Sequence, residues 1–501
     1  MNKESNTALR GPMLFIAALV LTAGNFIAVL DTTIANVSVA HIAGALGASN
    51  SQGTWVITSY AVAEAITVPL TGWLAKRFGT TRVFSYAMVS FGICSALCGL
   101  SNSLGFLIFA RVLQGLSGGP LLPLSLTLLL RAFPKDKMAL ANGMWSITIL
   151  VAPVVGPILG GWLCDEYYWP WIFFINVPIT AICGSILFIM FRNQKEDLEK
   201  RPIDKVGLFL LITWVGALQL MLDEGKDKDW FASNYIVTLA IVAVIGFAAF
   251  MIWEITQHDP VVDLTIFRHR GFSASVLTLS LVFGAFFGIN VLTPLWLQTN
   301  MAYTATWAGL ATSWSAVAAL TVVPIAASLS MKIDGRRLIF CGAIWMGLIT
   351  FIRSFLNTDT DFWTIAIPLL VMGFGMPFFF VPITAQAMTS VEPREMDSAS
   401  GLMNFLRTLS GAFATSIVNT VWENQTNYKH EQLSVLIDSS GTYFRKLTES
   451  GLDTEVARGI IDQLTTNQSI MLATNDVMLY CSIVFVIAAF AIWLGPNTVK
   501  R

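Results

Sequence analysis

LGFLIFARVLQGLSGGPLLPLSLTLLL, residues 104–130, carries a single charge, Arg111, in an otherwise apolar run. At 1.5 Å rise per residue a helix of this stretch reaches about 40 Å, enough to cross a hydrocarbon core of about 30 Å. Working outward, comparable runs cover about Met13–Val37, Gln52–Leu74, Val83–Leu100, Met138–Cys164 and Trp169–Phe191. After a charged linker come about Val206–Leu222 and Tyr235–Trp253. Then follow about Gly271–Trp296, Ala305–Met331, Leu338–Phe355, Phe362–Ser390, Ser398–Trp422 and Ala473–Leu494. The expected fold is an all-α polytopic membrane protein with 14 transmembrane helices, arranged 6+2+6.

Composition agrees. Apolar residues make up 55% of the 501 and charged residues 12%, and the mean hydropathy is +0.67. A net charge of −1 leaves no basic field for nucleic acid. All six cysteines fall within or at the ends of apolar runs and read as small core residues. The four histidines fall in predicted loops, so no metal cluster is expected, and no phosphate-binding loop of the Walker type occurs. The first apolar run is too long for a signal-peptide core and is kept as a span.

If the first span runs from inside to outside, about 21 of the Lys and Arg fall in cytoplasmic segments and about 7 in external ones. The cytoplasmic clusters are Lys76, Arg77 and Arg82; Arg131, Lys135 and Lys137; Arg192 through Lys205; and Lys332, Arg336 and Arg337. Both termini are then cytoplasmic. Residues 423–472 read as a long external loop, a small polar appendage. The division expected is 1–191 for the first six-helix bundle, 192–270 for the linker and two inserted helices, and 271–501 for the second bundle.

The halves echo each other at an offset of roughly 252 to 258 residues. Thr54-Trp55 pairs with Thr306-Trp307, the Gly115–Pro123 stretch with Gly373–Pro382, and Ala141-Asn-Gly with Ala399-Ser-Gly. Such same-direction repeats imply two bundles about an axis along the membrane normal, with a cavity between them.

Ionisable residues inside a bilayer are costly and mark function. Asp31 and Arg111 lie at matching depth, roughly 9 Å inside the external ends of the first and fourth spans, and Glu64 lies roughly 16 Å in on the second. A carboxylate alternating between dry and wet surroundings can pick up and release a proton, whereas an arginine stays charged and can pair with it in one state only. Asp31, Arg111 and Glu64 are therefore the proton-coupling candidates. A permanent Asp31–Arg111 ion pair is the alternative, and Glu64 equally suits a cationic substrate. Arg407 lies near the middle of the thirteenth span, and with Asn36 and Gln114 is a candidate polar lining of the cavity. In the fifth span, Pro153, Gly156, Pro157, Gly160 and Gly161 combine lost helix hydrogen bonds with close backbone approach, which suits a hinge or seal between bundles.

These residues resemble the major facilitator superfamily, and within it the fourteen-span drug:proton antiporters of the EmrB type. The resemblance covers essentially the whole chain. It rests on Leu30–Val37 around Asp31, Leu107–Gly115 around Arg111 and Gln114, and Gly156-Pro157 with Gly160-Gly161. Trp171–Pro178 and Asp263–Phe267 also look like signatures of these exporters. The loop of Gly72, Arg77 and Gly79 is similar to the superfamily's cytoplasmic switch motif, but has Lys76 where most members carry Asp. Glu64 stands where a neutral polar residue is expected.

The resemblance implies proton-coupled efflux of small hydrophobic compounds across a bacterial inner membrane by alternating access. The proton gradient would be the drive, with no cofactor and no enzyme activity. It also implies a periplasmic adaptor of the EmrA type and a TolC-like outer-membrane channel as partners. Export or facilitation of one specific metabolite, siderophore or lipid is the alternative, and a membrane-embedded sensor without turnover is a third reading.

Overall fold

The computed structural model describes residues 12–134, 137–191, 204–257, 260–440, 442–451 and 453–496. Lys135, His258, most of the linker (192–203) and both termini lie outside the described residues. Eighteen α-helices occur among those described, and no strand. The first half comprises α1 (Pro12–Ala45), α2 (Asn50–Gly53), α3 (Trp55–Phe78), α4 (Thr80–Gly99), α5 (Leu104–Gly118), α6 (Leu121–Ala132), α7 (Met138–Glu166), α8 (Trp171–Phe174) and α9 (Asn176–Phe191). Then come α10 (Lys205–Glu224) and α11 (Asn234–Thr256), followed by α12 (Arg270–Asn300), α13 (Ala305–Ser330), α14 (Gly335–Arg353), α15 (Phe362–Thr389), α16 (Met396–Ser440), α17 (Thr442–Glu449) and α18 (Thr454–Ala491).

Among the described residues, twelve stretches are long and apolar enough to cross a membrane. The two that complete fourteen are α3 and α16, of ample length but more polar. Their polarity has a packing reason: α3 and α16 lie against each other, and α10 packs on both. By contrast α11 presents Val244, Ile245, Ile252 and Ile255 outward, as a lipid-facing helix should.

The repeat is physical. The pairings α1–α7, α3–α5 and α4–α9 of the first half recur as α12–α16, α13–α15 and α14–α18 in the second. Equivalent glycines carry one of them: a Cβ on Gly115 would strike the Tyr60 carbonyl of α3, and one on Gly373 the Ser315 carbonyl of α13. Only a glycine lets these backbones approach so closely.

Three expectations about elements need correction. The fourth span is interrupted at Gly119-Pro120 and divides into α5 and α6, and the sixth divides at Ile175 into α8 and α9. The stretch 423–472 is no loop. From Ala412 to Ser440 there is neither Gly nor Pro to stop a helix, and α16 continues beyond its apolar part to meet a similarly extended α18. The hairpin is tied at its base by Trp422 Nε1 donating to Thr474 Oγ1 at 2.9 Å and by the Lys429–Asp476 pair at 3.1 Å. Finally, His41 and His430 lie in helices α1 and α16 rather than loops. His430 Nε2 sits 3.4 Å from Asp462.

Candidate functional site

Asp31 lies on α1 in the middle of a closed polar knot, 1% exposed. Arg111 Nη1 on α5 is 2.6 Å from Asp31 Oδ2, and Gln114 Nε2, one helical turn on, donates to Asp31 Oδ1 at 3.0 Å. A third donor comes from Asn176, the first residue of α9, whose Nδ2 reaches the same Oδ1 at 2.7 Å. The break before α9 is what aims this amide. Arg111 is held as tightly: Nε donates to the Val56 carbonyl at 3.0 Å, Nη1 to Gln114 Oε1 at 2.8 Å, and the guanidinium lies 4.2 Å from the Tyr60 ring centroid. Ser95 accepts from Asn176 and donates to the Phe173 carbonyl, while the Cys98 thiol donates to Gln114 Oε1.

Buried charges persist only when paired and hydrogen-bonded, and this pair has both. Its two members were predicted; Gln114 was expected as a cavity-lining residue and instead bridges them. Asn176 stood in a quoted signature without a role, and Ser95, Cys98 and Tyr60 went unnoticed. Only the three-dimensional paths of α3, α4 and α9 bring them to the Asp31–Arg111 pair. Asn36, by contrast, is exposed and outside the knot.

Glu64 on α3 makes no hydrogen bond or ion pair among the described residues. Arg407 of the second bundle and Arg111 and Asp31 of the knot are the charged groups whose fields reach it. Arg407 is buried between Trp145 and Phe283, at 5.7 and 5.1 Å from their ring centroids, with Nε and Nη1 unpartnered. It lines a small cavity with Ser146, Ile149 and Thr384, contributed by α7, α15 and α16. A second buried arginine, Arg353, escaped notice because it ends α14. It is 1% exposed, donates to Thr293 at 2.9 Å, and keeps two nitrogens unpartnered.

The proline-glycine seam sits elsewhere than expected. Cβ atoms at Gly156 and Gly160 would strike Thr33, Val37 and the Ile34 backbone, so these glycines press α7 onto α1, within one bundle. Thr33 Oγ1 also donates to the Ala152 carbonyl at 3.3 Å. The seal between bundles uses the other face: Ile158 meets Gly309 and Gly143 meets Val323, both on α13. Pro153 and Pro157 are half-buried inside an uninterrupted α7, and Gly161 is buried.

At the end rich in Arg and Lys, Gly79 adopts φ 95°, a left-handed turn that favours glycine between α3 and α4. Gly72 lets α3 touch the Ser398 backbone of α16, and Arg77 lies over Trp73, 5.6 Å from its ring centroid. Here the bundles are locked: Arg131 Nη2 is 2.8 Å from Asp397 Oδ2, Thr80 joins both, and Ser400 Oγ donates to the Pro123 carbonyl at 2.9 Å. The structure is therefore closed at its basic end.

The Major Facilitator Superfamily profile matches residues 21–415. Multidrug export protein EmrB of Escherichia coli K12 is 41% identical over 98% of this chain and 97% of the relative. The chain belongs to the major facilitator superfamily, in its EmrB-type branch. Fatty acid resistance protein FarB of Neisseria gonorrhoeae is 39% identical over 97% of each chain. Among solved structures, the human organic anion transporter MFSD10 (TETRAN) superposes with a TM-score of 0.60 over 96% of this chain and 100% of that one. At 13% identity this likeness speaks for the fold alone. A member of this superfamily is a membrane transporter of small substrates, and the knot and the closed basic end are to be understood as parts of such a machine.

Proposed function

We propose that this transporter exports hydrophobic, drug-like compounds across the bacterial inner membrane in exchange for protons, by alternating access. The observation that carries the reading is the mechanical link between Asp31 and the seam. The glycines of α7 grip α1 at Thr33, Ile34 and Val37, within two turns of the carboxylate, so movement of α7 against α13 must disturb the Asp31 knot. When the knot is closed, Arg111, Gln114 and Asn176 occupy both oxygens of the carboxylate; when it opens to water, those partners part from it and a proton can take their place. Arg111 remains charged and draws the carboxylate back once the proton leaves.

One proton moving through 100 mV supplies about 2.3 kcal/mol, enough for about a fortyfold gradient of a neutral compound. The proton gradient is then the whole drive, without a cofactor. The reading uses a first bundle at 1–191, inserted helices within 192–270 and a second bundle at 271–501. By the positive-inside bias the basic end and both termini face the cytoplasm. The relatives named EmrB support drug-like cargo, and the resemblance supports an EmrA-type adaptor and a TolC-like channel, with the α16–α18 hairpin on the periplasmic side.

The test is proton-coupled uptake of ethidium into inverted vesicles containing the purified chain. Asp31→Asn should abolish ethidium-dependent release of lumenal protons; coupling that survives in this variant would defeat the proposal.

A second reading has its own observation. The unpartnered Arg407 nitrogens at the bundle interface favour an anionic amphiphile, such as a fatty acid, as one specific cargo. Loss of laurate but not ethidium transport in Arg407→Met would select it.

A further inference from the structure

A large recess lies outside the bundle interface, between the inserted hairpin and the thirteenth span. It is an apolar cleft of about 680 Å³ between α10, α11 and α16, whose walls include Trp214, Val244, Phe247, Phe405 and Phe413. Trp214 forms its floor, with ring centroids 5.1 Å from Phe247 and 5.9 Å from Phe405. Val244 and Phe247 are 68% and 46% exposed, so the cleft opens sideways, toward the hydrocarbon.

Its length is informative. Along α11 it runs from Ala243 to Ile255, about 18 Å, and along α16 from Leu402 to Phe413, about 16 Å. Half of a hydrocarbon core of about 30 Å is about 15 Å, so the cleft spans one leaflet, the one at the basic end.

At that end it adjoins a polar recess of about 450 Å³, with Ile255 and Leu264 common to both. The charged residues of the recess are Lys76, Glu254 and Asp263. Lys76 has no ion-pair partner among the described residues. Glu254 is 3% exposed; its Oε2 accepts from the Val262 amide at 3.0 Å and its Oε1 is unpartnered. One cation beside two carboxyl groups suits neither a simple anion nor a neutral head. It suits a group carrying both charges, a phosphate for Lys76 and an ammonium for the carboxyl side.

We propose that the cleft and recess together hold one zwitterionic phospholipid of the leaflet at the basic end, an ethanolamine lipid, with its head at Lys76 and Glu254 and an acyl chain along Trp214 and Phe405. The lipid fills the gap between the inserted hairpin and α16, which explains why a Lys stands at position 76. A chain seated there also touches Leu406, next to Arg407, so the inserted helices couple the bilayer to the helix facing the interface.

Native mass spectrometry of the full chain, extracted in mild detergent from membranes containing phosphatidylethanolamine, tests this independently of transport and orientation. One adduct of phosphatidylethanolamine mass should survive delipidation. Lys76→Ala and Val244→Trp should each lower the retained fraction at least tenfold, with the melting temperature unchanged. The control Ile245→Trp, outward on the same helix and outside the cleft, should retain it. Added phosphatidylglycerol should exchange in poorly. Absence of the adduct, or equal retention in all three variants, overturns the proposal. So does displacement by N-phenyl-1-naphthylamine with no effect of Lys76→Ala, which would mark the cleft as an entrance for hydrophobic cargo.

Discussion

Asn176 donates to Asp31 Oδ1 at 2.7 Å from the first turn of α9, giving the carboxylate a donor 145 residues away in the chain. Removing one partner from a buried charged acceptor costs about 1–3 kcal/mol, more than deleting an exposed one. Asn176→Ala should therefore lower the thermal stability of the purified chain measurably and reduce proton-coupled ethidium transport about tenfold or more. Asn176→Asp, which sets a second carboxylate against Asp31, should be worse still. Transport at the parent rate in Asn176→Ala would remove the residue from the mechanism.

The close contact of Gly156 with Thr33 leaves no room for a methyl group. Gly156→Ala should impair transport while leaving membrane insertion intact, because the fault is local to the α1–α7 seam. Thr33→Gly in the same chain should restore part of the activity by vacating the space. A double-mutant cycle on the initial rate checks it, with non-additivity expected for residues in contact.

Much of this was legible beforehand. Asp31 and Arg111 could be set at one depth beforehand, since a 1.5 Å rise fixes where a residue sits in a bilayer. The repeat and the basic clusters likewise follow from spacing and charge. Which way a glycine faces does not. Gly156 and Gly160 were expected to seal one bundle against the other, yet their rotation about α7 turns them to α1, and Ile158 takes the outward role. The hairpin of α16 and α18 was missed because polar composition reads as loop when the helix has left the hydrocarbon and no longer needs an apolar surface. Arg353 was missed for a related reason: it is the last residue of its helix, where an arginine is ordinarily solvated.

Asp397 is buried, but its partner Arg131 is 42% exposed, so the latch between them is a modest one. Asp397→Asn should shift the population toward opening at the basic end by about 1 kcal/mol, about fivefold. Spin labels placed at the basic ends of α4 and α16 report the change by pulsed distance measurement.

Gly72 offers a sharper version. A Cβ there would lie 2.8 Å from the Ser398 Cα, a collision with backbone rather than with a movable side chain. Gly72→Val should prevent closure at the basic end, trapping the opposite distribution from the parent. The same labels should then show the long distance alone, with transport lost.

Helix α16 runs unbroken from Asp397 past Arg407 to Ser440, with roughly 27 Å of it beyond Trp422. A rigid rod pivoting near its foot magnifies displacement at its far end. Tilting α16 by about 10° would sweep the tip of this outer arm sideways by about 5 Å relative to its base. What happens around Arg407, in the depth of the bilayer, is thereby broadcast into the aqueous space as a movement large enough for another protein to feel.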